Sequence, residues 1–327
     1  MQGKIAFEEH MAIPETTAET RDFAGESGRF DDFTTEILDL DGIRLEAMDR
    51  AGIELAILSL NAPAIQSILD LSTAVSTAQK ANDAIAAAIQ RHPKRYAGLA
   101  ALPMQSPEAA ARELQRTVKE LGFKGVLVNG FTQRENADAA VYYDIQEYRE
   151  FWATVSELDV PFYLHPRMPL SSQSENLKDH PWLKSSPWGF SVETATHALR
   201  LCGSGLFDQY SNLKIIIGHL GEFIPYNLWR MDARMKFSPR GYRGEKLLGY
   251  YFKKHFHVTT SGNHCDATLR CALEMLGSEK LYFSSDYPFE RMEDAARWFD
   301  GTQVLSDEER QKIGRQNAIR LFKLDLV

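Results

Sequence analysis

Along the chain, short runs of apolar, β-branched or aromatic residues alternate with longer stretches that carry helical spacing. The runs are Lys4 to Glu8, Leu55 to Leu60, Tyr96 to Ala101, Gly125 to Asn129, Pro161 to His165, Lys214 to His219, Phe256 to Ser261 and Leu281 to Asp286, eight in all. Several, such as Lys214-Ile-Ile-Ile-Gly-His219, are apolar almost without interruption. Such a strand is buried on both faces, which predicts a parallel sheet. The intervening helices are predicted from about Ile37 to Ala51, Ser72 to Arg91, Tyr148 to Leu158, Glu193 to Phe207, Glu222 to Met235, Ala267 to Leu276 and Glu290 to Asp300. One more opens at Ser106-Pro107-Glu108, an N-cap, an N1 proline and a first-turn acid, and stops at Gly122. A last helix is predicted over Ser306 to Leu324. Strand and helix alternating eight times predict a (β/α)8 TIM barrel, α/β in class. The competing open, doubly wound sheet calls for a Gly-rich phosphate turn after an early strand, and the chain has no G-x-G-x-x-G or P-loop sequence. With no Gly/Pro/Ser-rich linker and no repeat, residues 1–327 read as a single domain. Two long insertions, Met11 to Glu36 after the first run and Arg167 to Phe190 after the fifth, read as lids or partner-binding arms.

Composition narrows the function. The chain has 327 residues and a formal net charge of -8, which disfavours nucleic acid and anionic membrane surfaces as partners and favours a small-molecule ligand. The three cysteines, Cys202, Cys265 and Cys271, form no CxxC pair, so neither a disulfide framework nor a thiolate-rich zinc site is expected. No apolar run is long enough for a signal peptide or a membrane span, and a reducing, cytoplasmic setting follows.

In a barrel of this kind the reactive side chains sit at the C-terminal ends of the strands. Here those ends are polar: Glu8-Glu9-His10, His165-Pro166, His219-Leu-Gly-Glu222 and Ser284-Ser285-Asp286. On an extended backbone Glu8 and His10 point to the same side and Glu9 to the other, where it has a structural role. Taken singly, His165 fits a core histidine, His219 a helix cap and Asp286 a turn former. Together, Glu8, His10, His165 and Asp286 make a mixed nitrogen and oxygen set suited to one Zn²⁺ or Mn²⁺, with Mg²⁺ tolerated and no organic cofactor called for.

These strand ends resemble the amidohydrolase superfamily, and within it the metal-dependent, non-oxidative aromatic acid decarboxylases. The resemblance spans essentially the whole chain, through Gly3-Lys-Ile-Ala-Phe-Glu-Glu-His10, Leu58-Ser-Leu-Asn-Ala-Pro63, Ala100-Ala-Leu-Pro-Met104, Leu127-Val-Asn-Gly130, Phe162-Tyr-Leu-His-Pro166, Gly218-His-Leu-Gly-Glu222, Thr259-Thr-Ser-Gly-Asn263 and Phe283-Ser-Ser-Asp286. Among them the chain looks most like the decarboxylases of 2,6-dihydroxybenzoate (γ-resorcylate), with those of 2,3-dihydroxybenzoate and salicylate next. Hydrolytic relatives begin with His-x-His and often carry a bridging lysine at the end of strand four; this chain has Glu8-x-His10 and ends that run at Val128-Asn129. The resemblance therefore implies a single metal held by Glu8, His10, His165 and Asp286, with Asp286 as proton donor and His219 with Glu222 as an acid/base pair. It makes Arg230 a contact for the substrate carboxylate. Phe23, Trp188, Phe190 and Phe289 are either packing residues or the sandwich around a flat ring, and His180 either reaches the site or braces a lid. The expected activity is reversible decarboxylation of an ortho-hydroxybenzoate in aromatic compound catabolism. A mononuclear lactone or amide hydrolase remains the alternative, and relatives imply a homotetramer.

Overall fold

A computed structural model of the chain describes residues 1–18 and 30–326. Phe23 lies outside them. Eight parallel strands follow one another around a barrel: β1 (Lys4–Met11), β2 (Ile53–Leu60), β3 (Tyr96–Ala100), β4 (Gly125–Asn129), β7 (Phe162–His165), β8 (Ile215–Ile217), β9 (Phe256–Thr259) and β10 (Leu281–Tyr282). Two further strands, β5 (Thr132–Arg134) and β6 (Asn136–Val141), form an antiparallel hairpin outside the barrel. The last strand meets the first through Ser284 Oγ, which accepts from Glu8 N at 2.7 Å, and through a bridge between Glu9 and Tyr287.

Alternation along each strand builds two cores. Ile5, Phe7, Leu55, Ile57, Ala97 and Leu99 turn into the barrel, where the C-terminal residues Leu321, Phe322 and Leu324 pack with them. The rings of Phe7 and Phe322 meet edge to face at 4.8 Å. Ala6, Ala56 and Leu58 turn outward against the helices. At about 25 cal/mol per Å² of apolar surface removed from water, each such aliphatic or aromatic side chain contributes roughly 1.5–3 kcal/mol before chain entropy is set against it.

The helices are α1 (Phe30–Leu38), α2 (Ile43–Ala51), α3 (Leu71–Arg91), α4 (Pro107–Lys119), α5 (Arg149–Leu158), α6 (Gly189–Gly203), α7 (Leu206–Gln209), α8 (Ile224–Met235), α9 (Leu248–His255), α10 (Asp266–Leu276), α11 (Met292–Gly301), α12 (Asp307–Gln311) and α13 (Asn317–Phe322). The cap expected at Ser106 is present, its hydroxyl accepting from Ala109 N at 3.2 Å. The helix expected over Ile37 to Ala51 is instead two. The Asp39 carboxylate accepts from the backbone N–H of Gly42 at 3.1 Å and of Arg44 at 3.0 Å, a local bond that ends one helix and starts the next. The segment from Glu193 to Phe207 also divides, at Gly205 with φ 79°, and its helix starts earlier, at Gly189. The C-terminal segment contains a π-helical turn at Lys312–Gln316 between α12 and α13. Among the described residues no helix is long and apolar enough to cross a membrane.

Candidate metal centre and active-site cavity

β1 delivers two of the expected ligands by breaking its own period. Ala6 pairs with Ala56 and Glu9 with Leu58, so three steps along β1 match two along β2, a β-bulge. Strict alternation would put Ile5, Phe7 and Glu9 inside. The bulge lets Phe7 and Glu8 both face the interior and hands the inward phase to Glu8 and His10, the re-aiming that bulges perform beside active sites. Glu9 is left between barrel and helices, buried against Ser284 and Ser285, whose hydroxyl groups and Ser285 N–H it accepts. Burial there pushes its carboxyl up to about 7 against those bonds and the nearby Arg44. Arg44 donates to the carbonyl of His10 at 2.5 Å, bracing the strand end from behind.

Glu8, His10, His165 and Asp286 each place one donor atom within 4.8 Å of the others. His10 Nε2 is 3.3 Å from Asp286 Oδ1, and His165 Nε2 is 3.3 Å from Glu8 Oε1. The second polar atom of Glu8, of His10 and of His165 is engaged elsewhere, so that these atoms are left facing inward. Glu8 Oε2 accepts from the hydroxyls of Tyr163, Ser261 and Thr259, the last at 3.0 Å. His10 Nδ1 meets Ser59 Oγ at 3.3 Å, and His165 Nδ1 meets Asn129 Oδ1 at 2.8 Å. Glu8 Oε1 and His10 Nε2 are buried with no hydrogen-bond partner. Leaving such atoms unsatisfied costs about 1–3 kcal/mol each, and a cation at their centre removes the penalty. The set therefore fits one divalent ion. Burial alone would raise the pKa of Glu8, but His219, His165 and His10 outweigh it and hold this carboxylate well below the ordinary range. Burial and His10 lower the pKa of His165, favouring the neutral imidazole a metal needs.

His219 and Glu222 do pair, Nδ1 to Oε1 at 2.6 Å, but not at the start of a helix. Residues His219, Leu220, Gly221, Glu222 and Phe223 all have φ between 51° and 97°, a left-handed turn that ends before α8 begins at Ile224. A left-handed turn also brings i and i+3 together, at a conformational cost that only Gly221 escapes. Burial opposes protonation of His219, yet Glu222, Glu8 and Asp286 together hold its pKa well above the ordinary value. Its Nε2 lies 3.7 Å from Asp286 Oδ2. Two glycines make room: a Cβ on Gly218 would sit 3.0 Å from Glu8 Oε2, and one on Gly262 2.9 Å from His219 Cδ2.

A cavity of about 750 Å³ opens onto this cluster, lined by His165, His219, Asp286, Phe190, Phe289 and Arg291 among others. Phe289 stands 5.6 Å from the His10 ring and 5.1 Å from Phe33. Asp286 is 14% exposed whereas Glu8 and His10 are fully buried, so Asp286 is the carboxylate of the set that a ligand in the cavity can touch. The remaining expected contacts lie elsewhere in this chain. Arg230 is exposed on α8, two residues past the core-facing Leu228, and is not part of the cavity wall. Trp188 packs at a tilt on Phe223, ring centres 5.4 Å apart, and the exposed His180 sits before the short helical turn Pro181–Leu183; neither lines the cavity. Reading the sequence missed Ser59, Asn129, Tyr163, Thr259 and Ser261. A signal for two of them exists, since strand register pairs His10 with Ser59 and Asn129 with His165.

Fold and site together define a barrel enzyme built around one divalent cation. The amidohydrolase family profile matches residues 35–324. The γ-resorcylate decarboxylase of Rhizobium radiobacter is 48% identical over 328 residues, covering 99% of both chains, and that of Rhodococcus jostii is 49% identical over 330 residues, covering 99% of this chain and 100% of the other. A crystal structure of 2,6-dihydroxybenzoate decarboxylase complexed with 2,6-dihydroxybenzoate superposes with a TM-score of 0.97 at 48% identity, covering 99% of this chain and 100% of that one. The Polaromonas dihydroxybenzoic acid decarboxylase, solved with manganese and 2-nitroresorcinol, gives 0.97 at 48% identity over 100% of this chain and 98% of its own. The chain belongs to the amidohydrolase family, in its branch of metal-dependent aromatic acid decarboxylases. It is thus a carboxy-lyase, as its strand ends led us to expect.

Proposed function

We propose that the chain converts 2,6-dihydroxybenzoate to resorcinol and CO2, with Asp286 as proton donor and His219 and Glu222 as its acid/base support. The observation that carries this is the cavity itself, which opens onto a carboxylate and imidazole cluster and has Phe190 and Phe289 in its lining. A divalent ion held by Glu8, His10, His165 and Asp286 supplies a Lewis-acidic point for the carboxylate and ortho oxygen of such a substrate. Phe190 and Phe289 bound the ring and keep water from it. The proton passes from Asp286 to the ring carbon bearing the carboxylate, which breaks aromaticity and is the costly step. The bond to the carboxylate then breaks, its electron pair returns to the ring and CO2 leaves. His219, held by Glu222, faces the same carboxylate and stabilises charge that develops beside it.

The deciding experiment incubates the metal-loaded protein with 2,6-dihydroxybenzoate, 2,3-dihydroxybenzoate, salicylate and an aryl lactone, and follows the phenols by chromatography. We expect resorcinol to form fastest, and the reverse carboxylation to appear in concentrated bicarbonate. Turnover of the lactone with none of the three acids would reject the reading. We also place the chain in a homo-oligomer, a tetramer by resemblance. Supporting this, Tyr226, Trp229 and Phe237 on and just beyond α8 are 83%, 77% and 80% exposed, and Phe223 before it 44%. A monomer by light scattering would overturn that assignment.

A further inference from the structure

A second cavity, of about 570 Å³, lies between the start of α5, the end of α6 and the loop that follows α8, away from the metal cluster's lining residues. Four arginines line it, Arg149, Arg200, Arg240 and Arg243, against one carboxylate, Asp144. Asp144 is taken: it accepts from Arg200 Nε at 2.9 Å and Nη2 at 3.2 Å, and Arg200 also lies 4.2 Å over the Tyr142 ring. Among the described residues the other three guanidinium groups make no ion pair with an acid, and Arg149 feels Asp144 only at a distance. Arg149 donates Nη2 to the carbonyl of Ser204 at 2.8 Å, while its Nη1 is buried without a partner. Arg240 donates Nε to the Ser238 hydroxyl at 2.9 Å, a neutral partner. Arg243 is exposed and stands close enough to Arg149 for the two charges to repel. On a chain whose net charge is -8, three guanidinium groups outside ion pairs around one hollow form a local reversal of sign.

Like charges are held together here by backbone bonds, Arg243 N to Gly203 O at 2.9 Å and Tyr242 N to Pro239 O at 2.9 Å, and not by counter-ions. A rigid fork of guanidinium donors matches the oxygens of a phosphate group, and compact charges of two or more per group are what three such forks neutralise. Part of the lining is apolar, from Ile145, Pro239 and the Tyr242 ring, whose hydroxyl is committed to Lys246 O at 2.7 Å. We propose that this groove binds a compact polyanion carrying phosphate groups, held by Arg149, Arg240 and Arg243, at a site separate from the decarboxylation centre.

Isothermal titration of the metal-loaded protein with pyrophosphate and with ADP tests this. Saturable binding of at least one is expected, weakening steeply as salt rises, and by at least about tenfold in Arg149→Met and in the double variant Arg240→Ala/Arg243→Ala. The double variant lies on an exposed loop and guards against misfolding of Arg149→Met. Tighter binding of ADP identifies an organic phosphate lying on the apolar part of the lining; equal binding identifies inorganic phosphates. Basal activity on the aromatic acid stays unchanged in both variants, since none of these residues lines the catalytic cavity. Absence of saturable binding at millimolar ligand, or binding that the double variant retains in full, overturns the proposal. So does a drop in oligomeric mass in that variant, which would assign the arginines to contacts between copies of the chain.

Discussion

Replacing Asn129 by alanine should weaken the metal centre without touching a ligand. The Asn129 amide nitrogen donates to Asn61 O at 3.0 Å and Leu60 O at 3.4 Å, which fixes its other end as the oxygen. That oxygen faces His165 Nδ1 at 2.8 Å, so Nδ1 carries the proton and Nε2 keeps the lone pair directed at Glu8 Oε1 and the cluster. Alanine removes the acceptor, frees the ring to rotate and to change tautomer, and leaves the carbonyls of residues 60 and 61 without their donor. Partners of metal-binding histidines are worth about 10- to 100-fold in affinity, or about 1.4–2.7 kcal/mol. The orphaned carbonyls add about 1–3 kcal/mol of lost stability, which appears in the metal-free protein as well. Competition with a chelating dye for Mn²⁺ reads the first quantity, and melting of metal-free samples reads the second. Asn129→Asp keeps an acceptor and should hold affinity within about tenfold while still losing stability. If Asn129→Ala binds Mn²⁺ as tightly as the parent chain, the tautomer argument is refuted.

Asp286→Asn should abolish turnover while the cavity still admits the acid; a kcat within about tenfold of the parent would remove Asp286 as proton donor, because general acid catalysis is worth about 10²–10⁴. Gly218→Ala should lose metal content in as-purified protein, because its Cβ would press on the Glu8 carboxylate at 3.0 Å and 3.1 Å; full occupancy would show that Glu8 can retreat. Among the described residues Arg291 is the one lysine or arginine lining the cavity, so Arg291→Ala should raise KM for the anionic substrate about tenfold and leave kcat within a factor of about two, and an unchanged KM would exclude it from substrate capture. Acid should destabilise the fold through His197, whose pKa burial and the neighbouring Arg200 push down to about 3. Because the folded value lies below the unfolded 6.5, stability is intact above pH 6.5 and is lost as pH falls towards 3, about 2 kcal/mol by pH 5. Urea titrations at pH 7 and pH 5 should show that loss reduced by a comparable amount in His197→Gln; equal losses in both proteins would refute the assignment.

The eight barrel strands were readable because several are apolar almost without interruption and the rest are short runs of apolar, β-branched or aromatic residues set between helical stretches. The β5–β6 hairpin was not, since Asn136-Ala-Asp-Ala-Ala-Val141 is polar and exposed at its start and carries no buried face to leave a period. α9 was hidden for a different reason: Leu248-Gly-Tyr-Tyr-Phe-Lys-Lys-His255 runs straight into β9 without a breaker to separate them. The left-handed turn at His219–Phe223 contradicts local preference at four of its five positions and is held by the bonds around it, so no propensity argument finds it. The residues that orient the ligands were legible in principle. Ser59 and Asn129 sit at the same height as His10 and His165 on neighbouring strands, but that register is known only once the barrel is closed.

The bulge in β1 shows where reading by period meets its limit. Two-residue spacing correctly places Glu8 and His10 on one side, and equally correctly places Ile5 and Phe7 on one side. The two statements describe the same side only if an extra residue is inserted between them, and Ala6 against Ala56 followed by Glu9 against Leu58 supplies it. Without the bulge, either the ligands or the apolar pair would face the helices, and the barrel would have a site without a floor or a floor without a site. Phe7, packed on Phe322 and on Tyr163 at 6.3 Å, is that floor, and Tyr163 in turn donates to Glu8. The apolar plug at the bottom of the barrel and the metal set at its top are therefore joined through adjacent residues of one strand.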